Sequence, residues 1–188
     1  MPKIYQLQPD IFGEYVPRPS QKLPEVVNFL GGIIINTSLP TPLNFTTRHN
    51  KKEPPLGLHG RVVPVMSNSF INALRNAGIV NLQCFPAVIK SSVDETIWND
   101  YQAVNIIGKI ACADLTASQS THIMDRPGND TTPLVAFEDL KVDPSRVGDA
   151  LLFRLAESPG VILIAESVVK HLRSIHSDNE WGITLDER

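Results

Sequence analysis

Cysteine is nearly absent: Cys84 and Cys112 are the only two thiols in 188 residues, and neither stands in a CxxC or other ligand spacing. A disulfide framework is thereby excluded, and both residues read as small buried hydrophobes. Long apolar runs are absent too. None approaches the roughly 20 residues that cross a bilayer, and the opening MPKIYQLQPD has no apolar signal-peptide core, so a cytoplasmic, non-membrane protein is expected. No Lys/Arg stripe interleaves with aromatics, and the formal net charge is -3 with a pI near 5.9. That balance argues against a nucleic-acid binder and suits solubility or a basic partner.

Catalytic frames are also missing. The chain holds no nucleophile elbow, phosphate-binding loop, dinucleotide-binding glycine frame or HExxH, each of which needs fixed residue types at fixed offsets. His171 and His176 stand five apart at a helix end, which is not the i, i+4 spacing that aims two imidazoles at one metal. His171 is expected on a solvated helix face, and His176 near the helix C-terminus, where it complements the dipole. No cofactor and no metal are expected.

What is present is ordinary globular material, 42% hydrophobic and 20% charged, long enough for one domain over 1–188. Residues 1–60 hold EYVPRPSQKLP, SLPTPLNF and KKEPPLGLHG, so extended segments and loops are expected there. GGIIIN at 31–36 is the strand candidate in this part, and RHNKK at 48–52 reads as an exposed loop. From 61 the pattern is regular. RVVPVM predicts a strand, and Ser67 or Asn68 caps a helix with Phe70, Ile71, Leu74 and Ala77 on its apolar face. Gly78 ends that helix, and IVNLQCF then alternates Val80, Leu82 and Cys84 on one side of a strand.

Downstream, YQAVNIIGKIACAD (101–114) predicts a long strand bent at Gly108, and TASQSTHIMDRPGNDTTP a polar connection. PLVAFEDLKVDP and ALLFRLAES predict extended pieces. The last stretch predicts a strand, a helix with Val168, Val169, Leu172 and Ile175 on one face, and a closing strand. VMSNSFINALR (65–75) and LIAESVVKHLR (163–173) match in outline, with Ser69 opposite Ser167 and Leu-Arg at the end. They are either an internal strand-helix-strand repeat or two unrelated capped amphipathic helices. The expected fold class is α+β, mostly antiparallel sheet with a few short amphipathic helices.

Two acidic stretches carry aromatics without a basic residue: SSVDETIWNDY, with Asp94, Glu95, Trp98, Asp100 and Tyr101, and SDNEWGITLDE, with Asp178, Glu180 and Trp181. They read as solvated loops with a tryptophan dipping into the core, or as a protein-binding surface, because Trp and Tyr anchor interfaces and carboxylates steer basic partners. Asp114 and the Asp125-Arg126 pair read as caps or contacts.

MSNSFINALRNAGIVNLQCFPAVI, YQAVNIIGKIACADLTAS, LLFRLAESPGVILIAESVVKHL and the closing WGITL together resemble immunity protein family eleven of bacterial polymorphic toxin systems, the myxobacterial-type immunity domain. The matching features are the Ser-capped helix ending at Gly78, the VN pair at 104–105, Asp114 with Ser118, Phe153-Arg154 before an apolar strand, and a second helix followed by Gly182. The likeness covers residues 61–185. It implies an antidote without catalytic residues that binds a cognate toxin, a secreted nuclease-type effector encoded beside it, and occludes its site. Contacts are then expected at Asp94, Glu95, Trp98, Asp100 and Tyr101, and at Asp178, Glu180 and Trp181. The alternative from another class is a small hydrolase or transferase built on Asp114, His122 and Asp125; a homo-oligomer joined through edge strands is a third.

Overall fold

In the computed structural model, which describes residues 3–10, 13–125 and 132–188, the chain passes between two sheets. Ile4 and Leu7 bury one strand, β1 (Ile4–Pro9). The proline-rich part adds short pieces, β2 (Arg18–Pro19), β3 (Leu43–Thr47) and β4 (Leu58–His59). GGIIIN, expected as a strand, is not one. Gly32 takes φ 68°, Ile33 and Ile34 face solvent, and the side-chain amide of Gln83 bonds both Ile35 N–H and Ile35 C=O at 2.9 Å. One glutamine thus satisfies the backbone groups that a neighbouring strand would otherwise pair.

β5 (Val65–Ser67) runs directly into α1 (Asn68–Asn76), where Ser67 Oγ accepts the Phe70 N–H at 3.2 Å. Phe70, Ile71, Ala73 and Leu74 are the buried face, and Gly78 at φ 94° turns the chain away. β6 (Leu82–Ser91) and β7 (Ile97–Ile106) pair antiparallel. Val80, expected on the buried side of β6, precedes it and is 92% exposed. The expected long strand at 101–114 is cut at Gly108, whose φ of 107° is open to glycine at little cost. β7 therefore ends in one sheet while β8 (Lys109–Ile110) joins the other.

The expected polar connection contains a strand, β9 (Gln119–Met124), in an antiparallel hairpin with β10 (Leu134–Asp139). Every residue of β9 is exposed, so hydrophobic periodicity carries no trace of it. Arg126, singled out above, lies outside the described residues. β11 (Leu152–Leu155), β12 (Ile162–Ala165), α2 (Glu166–Ile175), α3 (Asp178–Trp181) and β13 (Ile183–Glu187) complete the chain. α3 corrects the reading of 178–181 as loop.

One sheet has the order β13-β1-β12-β11-β8 and the other β2-β3-β6-β7-β5-β4. Most ladders are antiparallel, with β3 beside β6 and β11 beside β8 the parallel pairs. β7 lies between β5 and β6 and is antiparallel to both; β1 lies likewise between β12 and β13. Strand, helix and strand on either side of an inserted antiparallel strand therefore occur twice, as β5-α1-β6 and β12-α2-α3-β13. The two stretches that match in the sequence align Ser67 with Ala165, and these are the N-caps of α1 and α2.

The two units face each other. Phe70, Ile71 and Leu74 share one core with Val168, Val169 and Leu172, together with Leu7, Ile162 and Ile164 from one sheet and Val104 and Ile106 from the other. The far side of the five-stranded sheet buries Ile4, Phe153 and Leu163 against Cys112, Leu140 and Val142. The far side of the six-stranded sheet buries Phe45, Ile89 and Ala103, covered by Leu23, Val27, Phe29 and Ile35 from the proline-rich part.

Leu74 and Leu172 occupy matching positions, both with no exposure. Leu74→Ala and Leu172→Ala are each expected to cost about 3 kcal/mol, as buried leucines do where the site collapses only partly. Urea denaturation checks this, and a loss below about 1 kcal/mol at either position would contradict the shared core.

Candidate functional site

Trp98, Asp100 and Tyr101 meet His176, Glu180 and Trp181 across one cleft of about 380 Å³. On the first side the strand itself is irregular. Ala87 pairs with Tyr101 and Ile89 with Trp98, so β7 carries one residue more than β6 between those pairs. This bulge brings Trp98 and Tyr101, three apart, to the same core, which the two-residue period of a regular strand forbids. Tyr101 forms buried floor, Trp98 is a half-buried wall, and Asp100 is exposed at the rim.

On the second side α3 is closed by a capping box. Ser177 Oγ accepts the Glu180 N–H at 3.3 Å, and Glu180 Oε2 accepts the Ser177 N–H at 2.8 Å. The Ser177 hydroxyl, donating to Glu180 Oε2 at 2.7 Å, and then the Ser177 N–H hold the Glu180 carboxyl below its usual range. Trp181 donates its Nε1–H to Leu172 O at 3.2 Å, and its ring lies 5.2 Å from Phe70 and 4.8 Å from His176. Gly182 takes the left-handed conformation that ends α3, with Leu56 packed where a Cβ would stand.

The third side is the segment 54–57. Pro54 and Pro55 have no N–H, so this backbone is held largely by its carbonyls. His49 Nδ1 lies 2.9 Å from Glu53 O, Tyr101 donates its hydroxyl to Pro55 O at 2.5 Å, and His59 Nε2 lies 3.1 Å from Leu56 O. A carbonyl only accepts, which assigns the proton to Nδ1 of His49 and to Nε2 of His59. Gly57 then joins the two units, donating to Trp181 O at 2.8 Å and accepting from Ser67 N–H at 2.9 Å. Ser67 and Ser69, 2.9 Å apart at their hydroxyls, complete the wall.

The rings behind this segment form a series that runs inward from the exposed Tyr15 to the buried His49, His59 and Tyr101, with successive centroids 5.2, 5.4 and 6.4 Å apart. His49, placed by its sequence in an exposed basic loop, is only 4% exposed. Burial pushes the His59 imidazole down to about 4, with His49 beside it acting in the same direction, and lowers His49 as well. Burial raises the Tyr101 hydroxyl, and the Asp100 charge adds to that.

Five of the eight residues expected at a contact surface therefore line this one cleft: Trp98, Asp100, Tyr101, Glu180 and Trp181. The other three are placed elsewhere and are engaged. Asp94 accepts the Lys51 N–H at 2.8 Å and the Thr96 N–H at 3.2 Å, and the Lys51 bond above all holds its carboxyl down at about 2. Glu95 sits in the turn between β6 and β7 at φ 61°, paired with Lys90. Asp178 takes Arg173 on both oxygens, at 2.9 and 2.6 Å.

The alternative trio is no better assembled. Asp114 caps its own turn through Thr116 and Ala117, at 2.7 and 3.1 Å. His122 meets Asp125 at 3.5 Å on the exposed hairpin, with both side chains more than half exposed. None of the three lines the cleft. His176, Ser67 and Ser69 do, and the sequence offered only their positions beside helix ends. No group of three or more His, Cys, Asp or Glu among the described residues is placed to hold a metal. No helix among them is long and apolar enough to cross a membrane.

No protein-family model matches the chain, and no curated protein matches it.

The depressed imidazole has a consequence for stability. The unfolded chain takes up a proton at His59 near pH 6.5, whereas the fold refuses it until about 4. Stability is whole above that window, falls as pH drops through it, and levels off below it. The loss is about 3 kcal/mol for His59, with His49 adding in the same direction. Denaturant melts from pH 7.5 to 4 measure it, and His59→Gln, which keeps a donor but does not titrate, is expected to flatten the curve at the cost of some packing. An unchanged pH slope in that variant would refute the assignment.

Proposed function

We propose that this protein is an immunity protein, a cytoplasmic binder that neutralises a cognate bacterial toxin by covering its active or substrate-binding site. The observation carrying this reading is the convergence of Trp98, Asp100, Tyr101, Glu180 and Trp181 from two distant segments on one cleft. Tryptophan and tyrosine are the residues that most often anchor interfaces, and uncompensated carboxylates steer a basic partner toward them. A toxin that acts on nucleic acid presents such a basic face, because it must neutralise phosphates. The resemblance of residues 61–185 to toxin-immunity proteins points the same way. An interface of about 1,600 Å² around the cleft would block a toxin by occlusion, with no chemistry of its own.

A hydrolase reading has one observation in its favour: Ser67, Ser69, His176 and Glu180 all line the cleft. Their bonds run otherwise. Ser67 Oγ caps α1 and meets Ser69, Glu180 Oε2 is held by Ser177, and His176 Nδ1 is 3.8 Å from Glu180 Oε1. A nucleophile needs a base within hydrogen-bond reach, and no bond joins the His176 ring to either serine among the described residues.

Co-expression with the toxin encoded next to its gene tests the proposal. Protection and co-purification are expected, and Trp98→Ala is expected to weaken binding by about 2 kcal/mol, roughly thirtyfold. Glu95→Lys, outside the cleft, is expected to change mainly the association rate and its salt dependence. Full expression of both proteins with neither capture nor protection would rule the antidote reading out.

A further inference from the structure

The cleft has the chemistry of a cation receptor. It presents two carboxylates, Asp100 and Glu180, and among the described residues no lysine or arginine lines it. The Asp100 side chain makes no hydrogen bond or ion pair among the described residues. Glu180 gives Oε2 to Ser177, and its Oε1 lies 3.8 Å from Nδ1 of the His176 ring. The same cleft is lined by aromatic side chains, the buried Tyr101 and Trp181 and the half-buried Trp98.

Lysine and arginine fit such a place differently. An ammonium is a compact, strongly hydrated point charge. A guanidinium is planar, sheds water more readily, stacks on an indole and offers several N–H groups to acceptors on either side. A half-open cleft with an indole wall and two carboxylates on separate elements matches the second. Resting on the reading of the protein as a binder of a basic partner, we propose that the cleft receives an arginine side chain of that partner, its guanidinium against Trp98 and facing Asp100 and Glu180. The arginine would act as the interface anchor, with the remaining contacts excluding water around it.

The test needs no toxin. Trp98 and Trp181 are the chain's two tryptophans, and both line the cleft, so intrinsic tryptophan fluorescence reports on this site alone. Titration with N-acetyl-arginine amide is expected to give a saturable change at millimolar probe. The citrulline counterpart, same shape without the charge, is expected to give none. Asp100→Asn and Glu180→Gln are each expected to weaken the arginine probe about tenfold. Glutamine is an accepted third residue of a capping box, so Glu180→Gln retains α3, and circular dichroism checks that both variants fold.

No saturable change with arginine, or equal binding of the citrulline probe, would overturn the inference. Equal binding of N-acetyl-lysine amide would overturn the guanidinium assignment. The two readings fail separately. Arginine binding without protection of toxin-expressing cells would remove the antidote function and keep the receptor; protection undiminished in the Asp100→Asn, Glu180→Gln double variant would do the reverse.

Discussion

Three buried rings hold three carbonyls of one short segment, and the arrangement of the cleft depends on it. Pro54 and Pro55 leave 53–57 unable to join a sheet as a donor along its length. Side chains supply donors in its place, His49, Tyr101 and His59 to Glu53, Pro55 and Leu56, while the Asn50 N–H also reaches Glu53 O at 3.3 Å. With those carbonyls held, Gly57 is presented with its N–H toward Trp181 and its carbonyl toward Ser67. A Cβ there would stand 2.7 Å from Trp181 O and 3.3 Å from the Phe70 side chain, so close approach of the two units requires glycine at this position. The imidazoles do this work only while neutral, because a second proton would leave a charged ring in an apolar setting.

The two strand-helix-strand units are alike where they build the core and differ where they build the cleft. Phe70, Ile71 and Leu74 correspond to Val168, Val169 and Leu172 in one shared cluster. α1 is capped by the Ser67 hydroxyl; α2 has Ala165 at that place and no side-chain cap. Glu166 in its first turn offers charge to the dipole and pairs with Lys170 at 3.1 Å. After α1 the chain turns at Gly78 and enters β6. After α2 it first makes the extra turn of α3, and that insertion delivers Trp181 and Glu180 to the cleft. The departure from the repeat thus supplies two of the residues that line the cleft.

Helices and buried strands were legible because periodicity and caps are local: Ser67, the 70–74 face and Gly78 stand where their spacing put them. GGIIIN misled because Gly32 at positive φ turns the chain just before the three isoleucines, and the backbone of Ile35 is satisfied by Gln83, 48 positions away. β9 was invisible for the opposite reason, a strand without a buried face. At the cleft, residue type identified Trp98, Asp100, Tyr101, Glu180 and Trp181, but it could not separate them from Asp94 and Asp178. Those three aspartates are chemically identical. What distinguishes them is the Lys51 N–H on one and the Arg173 guanidinium on another, both fixed by the fold. The bulge that brings Trp98 alongside Tyr101 likewise exists only in the pairing of β7 with β6.

Ionisable groups inside the protein follow two different solutions. His59 can discharge, and it does so at neutral pH, so its burial costs little until acid forces a proton on it. Arg154 cannot. It has no exposure, burial lowers its guanidinium only to about 10, and its Nε and Nη2 have no hydrogen-bond partner among the described residues. Among the described residues no carboxylate pairs with it; Glu157, also buried, accepts the Ala113 N–H instead. A charge held in this way is expensive and has to be offset by the packing around it. Arg154 Nη1 donates to Pro159 O at 2.6 Å and Arg61 O at 3.2 Å, joining the turn between β11 and β12 to the turn between β4 and β5. A leucine at this position would pack with Leu152 and Ile162 but leave both carbonyls unserved. The two sheets are therefore tied at this end by a buried cation and at the cleft end through Gly57, on a segment that neutral rings hold.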